Sequence, residues 1–99
     1  MSSYQEQQQR SRRGVIIAHM LAGGNQPINA DMLLIAVKSM GIPSFYQEVV
    51  EAIQWLAEKG FVKVDGDSEV VIAQLTKSGV RVARGDTVDA GVTRPDPGV

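Results

Sequence analysis

Up to residue 60 the apolar positions recur every three or four residues. Beyond it they crowd into short β-branched runs. Residues 1–13 are polar and Gln-rich, and the apolar stretch 15–22 follows until Gly23 and Gly24 stop it. The pattern predicts one helix from the Gln run to Ala22. Asn25, Gln26 and Pro27 make a loop. Asn29 is placed as the N-cap of a second helix, with Ile28 and Leu33 at staple spacing. Leu33, Val37 and Met40 share a helical face, and Gly41 ends it. After Ile42 and Pro43, Ser44 and Gln47 have the spacing of a capping box. Phe45, Val49, Ile53 and Leu56 continue a third helix to about Lys59. Met20, Met32 and Met40 also fall at core spacings.

From Gly60 the period changes. Residues 61–64 and 69–75 read as strands around Asp65-Gly66, a strong hairpin signal. Thr76 caps a last short helix over 77–84 that Gly85 ends. Two helices joined by a short Gly-containing turn form a helix-turn-helix, and a hairpin directly after them adds a wing. The expected fold is α+β, mostly α. It is a winged helix-turn-helix with three helices, a two-stranded β wing and a short C-terminal helix. Residues 1–13 form the polar start of the first helix, 14–85 the winged-helix domain and 86–99 an extended or disordered tail.

Composition narrows the chemistry. Ninety-nine residues make one domain at most. There is no cysteine, which excludes disulfides and thiolate sites. No run approaches the roughly 18 apolar residues of a membrane span, and no signal peptide opens the chain. Ten Lys and Arg against eleven Asp and Glu leave a net charge of −1. No phosphate-cradling Gly-rich loop, nucleophile triad or H-E-x-x-H motif occurs, so an enzyme is the weakest reading. Asp65 and Asp67 resemble the start of a calcium loop, but Thr76 stands where its last acidic ligand belongs. No metal or cofactor is expected. His19, the only histidine, is expected to pack in the core or at an interface, and Trp55 to close the core against the wing.

The candidate DNA contacts follow from the helix-turn-helix. Its second helix enters the major groove by its N-terminal residues, here Ser44, Tyr46, Gln47 and Glu48. Gln47 suits adenine and Glu48 suits cytosine N4. Glu48, Glu51 and Glu58 oppose phosphate on that helix, and Asp65 and Asp67 make the wing tip acidic. Arg10, Arg12 and Arg13 are the concentrated positive charge, and Lys77, Arg81 and Arg84 form a second basic stripe. Val15, Ile16, Ile17, Met20 and Leu21 make an apolar surface broad for one stripe. With Val80, Val82 and Ala83 they are the expected homodimer interface.

Two segments carry a resemblance. Residues 52–62, Ala-Ile-Gln-Trp-Leu-Ala-Glu-Lys-Gly-Phe-Val, resemble the end of the recognition helix in ArsR/MarR-like bacterial winged-helix regulators. Residues 75–79, Leu-Thr-Lys-Ser-Gly, resemble the segment after their wing. The whole chain also resembles small winged-helix proteins of Mu-like phages and prophages. That likeness rests on its Gln-rich basic start, on residues 55–60, and on the ending with Val82-Ala-Arg-Gly85 and Gly91-Val-Thr-Arg-Pro95. The resemblance implies a phage protein in a bacterial cytoplasm, binding double-stranded DNA in transcriptional control or DNA handling. The alternative is a winged helix that serves as a protein-interaction module in a phage assembly.

Overall fold

A computed structural model describes residues 3–66 and 70–95. Ser3 caps helix α1 (Tyr4–Ala22) by accepting from the Glu6 amide. Strand β1 (Ile28–Asn29) leads into α2 (Ala30–Ser39), which Asn29 caps through the Met32 amide. Helix α3 (Tyr46–Glu58), strands β2 (Val62–Asp65) and β3 (Ile72–Leu75), and α4 (Lys77–Arg84) complete the chain. Thr76 caps α4 through the Gly79 amide, where its sequence places it.

The sheet has three antiparallel strands in the order β1-β3-β2, one more than the pattern predicts. Strand β1 is only two residues long, and its partners Ala73 and Ile72 lie more than forty positions away. Asn25 extends that edge. Its side chain accepts from the Leu75 amide at 2.9 Å and donates to the Leu75 carbonyl at 3.2 Å. To do so it takes a left-handed φ of 54°, which asparagine tolerates.

The core gathers Ile16, Ile17 and Met20 from α1, Leu33 and Val37 from α2, Val49, Ile53 and Leu56 from α3, and Val82 from α4. Each such side chain contributes about 1.5–3 kcal/mol by leaving water. Gly79 lies so close to the Phe61 carbonyl that a Cβ would overlap it, which presses α4 onto the start of the wing. Phe45, Met32 and Met40, expected in the core, are 80%, 50% and 58% exposed. Phe45 is the N-cap of α3, outside its helical face, and Met40 is already the C-cap of α2.

Residues 86–95 form no helix or strand, yet they run back across the helices. The Thr93 amide donates to the Arg10 carbonyl at 3.1 Å. Arg94 Nε donates to the Ala83 carbonyl at 3.2 Å. The carbonyl of Thr93 occupies the space a side chain at Gly14 would need.

Candidate nucleic-acid interface

Helix α3 is amphipathic. Val49, Ala52, Ile53 and Leu56 are buried, while Gln47, Glu51, Gln54 and Glu58 are exposed. Spacings of four, three and four residues align these last four as one stripe. Tyr46 is half-buried against the core. The predicted capping box is displaced by one residue. The cap is Phe45, whose amide donates to Glu48 Oε1 at 2.8 Å. Phenylalanine has no acceptor, so only that half of the box exists.

Ser44 is unavailable as a cap because Arg12 claims it. Arg12 Nε donates to Ser44 Oγ at 2.8 Å, and Nη2 donates to the Pro43 carbonyl at 3.2 Å. Glu48 Oε2 stands 3.7 Å from the same guanidinium. Arg12 is thereby buried between α1 and the entry to α3. To hold a phosphate it would first have to give up these partners.

Arg13 is also engaged within the chain. Its guanidinium carbon lies 4.0 Å from the centre of the Trp55 ring, and Nη1 donates to the Gly91 carbonyl at 3.0 Å. Its buried Nε has no hydrogen-bond partner. Burial, then the positive charges of Arg10 and Arg12, push its pKa below the usual arginine value, against a smaller opposing pull from Asp89. It remains a cation at neutral pH. Lys59 Nζ is 5.6 Å from the same ring and 3.0 Å from Asp89. The Gly91 amide donates to Asp89 Oδ1 at 2.8 Å. That hydrogen bond, and then Lys59, hold the Asp89 carboxyl below its ordinary pKa. Trp55 therefore anchors residues 86–95 as well as flanking the core, a role with no local signal in sequence.

The structure thus gathers Arg12, Ser44 and Glu48 into one internal network and places Arg13 in another. Gln47 is exposed and Arg10 half-exposed. Of the residues assigned to pairing, Val15, Ile16, Ile17, Met20, Val82 and Ala83 are buried in the monomer, and Leu21 and Val80 pack against its core. The breadth of that apolar surface reflects burial on several sides, with α4 of the same chain covering α1. His19 is exposed on α1, outside the core. Lys63, Lys77, Arg81 and Arg84 are exposed, with Arg84 3.6 Å from Asp86. Among the described residues no His, Cys, Asp or Glu cluster could hold a metal. No helix there is long and apolar enough to cross a membrane. Asp67 of the expected acidic wing tip lies outside the described residues.

No family model and no curated protein matches the chain. Among solved structures, it is similar to a PadR family transcriptional regulator from Eggerthella lenta. The TM-score is 0.53 at 22% identity, over 76% of this chain and 70% of that one. The fold is a winged helix. In this winged helix α2 and α3 are the helix-turn-helix pair, β2 and β3 the wing, and β1 the short third strand that ties the wing to the start of α2. The exposed stripe of α3 lies on the second helix of that pair. Its charges are those of Glu51 and Glu58, and the cations that touch α3 residues, Arg12 at Glu48 and Arg13 and Lys59 at Trp55, are held by partners within the chain.

Proposed function

We propose that this winged helix binds double-stranded DNA as a regulator, reading the major groove with the exposed stripe of α3. The observation that carries this reading is that stripe, left uncovered by every other described element. Gln47 and Gln54 supply side-chain amides of the kind that pair with adenine N6 and N7. Because α3 carries no free cation, phosphate contacts come from outside it, from Arg10 and from Lys63 on β2. Two contacts imply a salt slope of about −1.8 in log–log form, so affinity is modest and strongly dependent on the bases read. A role in phage gene control rests on the sequence resemblance alone.

A duplex titration at about 50 and 200 mM salt tests this. Lys63→Ala is expected to weaken binding and flatten the slope by about 0.9, one phosphate's share. Glu51→Gln is expected to tighten binding by removing repulsion. Absence of binding by the wild type at about 50 mM, where screening is weakest, overturns the DNA reading. A protein-interaction module in an assembly then takes its place. The two exposed carboxylates on the α3 stripe and the internal engagement of Arg12 and Arg13 favour that second reading.

A further inference from the structure

We propose that the outer face of α2 pairs with α2 of a second copy of this chain, antiparallel, about a two-fold axis beside Ile35. The face is apolar and open. Met32, Ile35 and Met40 are each at least half exposed. Beside them runs a groove of about 370 Å³, walled on its far side by Val15, Ala18 and His19 of α1. Ala18, Ala36 and Ser39 are small, which gives the groove its depth.

Charge identifies the occupant. Asp31 and Lys38 are exposed on α2, and neither forms an ion pair among the described residues. Seven residues separate them, close to two helical turns, so they share one stripe about 10 Å apart. Their midpoint falls between Leu34 and Ile35. An antiparallel second copy therefore sets Asp31 against Lys38 twice and brings Ile35 beside its own counterpart. A parallel one sets like charges together. A patch whose charges match themselves under a two-fold rotation is what an isologous interface requires, whereas a foreign helix needs no such symmetry. Of the α1 and α4 residues expected to pair, Ile16, Ile17, Met20, Val82 and Ala83 are buried in the core, while Val15 reaches only the wall of this groove.

Sedimentation equilibrium of the full chain from about 5 to 500 μM tests the proposal. The expected result is a concentration-dependent species of twice the 10.7 kDa chain mass. Ile35→Glu is expected to give a monomer with unchanged circular dichroism, because that side chain is exposed. Asp31→Lys alone and Lys38→Asp alone are each expected to weaken pairing about tenfold, through two repulsive contacts per dimer. An equimolar mixture of these two variants is expected to recover wild-type affinity as a heterodimer, since each then supplies the charge the other lacks. A single 10.7 kDa species throughout overturns the proposal and leaves the groove to a small apolar ligand or another protein. So does a dimer that survives Ile35→Glu, or a mixture that associates no better than its components.

Discussion

Arg12 is 3% exposed and Ile35 is 58% exposed, the reverse of what their chemistry favours. Arg12 is tolerated inside because its partners converge on it. Ser44 Oγ and the Pro43 carbonyl accept its hydrogen bonds, and Glu48 balances its charge. Ile35 is outside because α2 places its core positions, Leu33 and Val37, on the opposite side, and no other described element covers the remaining face. The first is an expensive placement made stable by distant partners. The second is an apolar excess that a domain of this size has no interior to absorb. Their contrast separates what holds the monomer together from what is left over for a partner.

The largest effect is expected on the Arg12 side. Arg12→Ala leaves Ser44 Oγ and the Pro43 carbonyl without that donor, leaves Glu48 without its counter-charge, and opens a cavity. The expected loss is about 3 kcal/mol, a fall in melting temperature on the order of 15 °C for a domain of this length. Thermal melting by circular dichroism checks it, and a fall of only a few degrees would dissolve the contrast. The same result bears on function. Lost DNA binding in an Arg12 variant would report unfolding, so Arg10→Ala and Lys63→Ala are the variants that isolate phosphate contact.

Elements set by neighbours in sequence were legible. The Thr76 cap, the α4 span and the β2–β3 hairpin depend on residues a few positions apart. What failed depended on distance along the chain. Strand β1 exists only through β3, and Ser44 has the local spacing of a cap while the residue that claims it, Arg12, lies 32 positions earlier. The same reach hid the candidate site's electrostatics. Three arginines within four residues read as one basic patch, and only the fold shows two of them occupied. Ile35 was missed for the opposite reason, since apolar periodicity marks a helix face without saying whether anything covers it.

A smaller effect is expected where residues 86–95 cross α1. Gly14→Ala drives a methyl into the Thr93 carbonyl, and the backbone there must move. The expected cost is about 1–3 kcal/mol, with a red shift in Trp55 emission as Gly91, packed so close to the ring that a Cβ there would overlap it, moves away. Unchanged emission would show that this segment does not depend on the glycine.

Acid acts on the same segment more gently. Asp89 has a depressed pKa in the folded chain, held down first by the Gly91 amide and then by Lys59. The stability it contributes is therefore fully present above the unfolded value of about 3.9. It is lost as pH falls through the lower folded value. Trp55 emission is expected to hold steady from pH 7 to about 4 and to shift below that. Asp89→Asn removes the titrating group, and the acid step is expected to disappear with it. A step that persists in this variant assigns the transition to another carboxylate.

The smallest effect on folding is expected at Ile35, and it completes the contrast. Ile35→Ser removes an apolar side chain that is mostly in water already, so little transfer free energy is at stake and no cavity forms. Serine is only slightly poorer than isoleucine at forming helix. Urea unfolding at about 1 μM protein, where the proposed dimer is dissociated, is expected to give a stability within about 0.5 kcal/mol of wild type. At several hundred micromolar the two chains are expected to diverge, because association stabilises only the wild type by mass action. A large loss at low concentration would mean that Ile35 supports the monomer and that its exposed face is not spare surface. Equal stability at both concentrations would mean that the face has no second copy to meet.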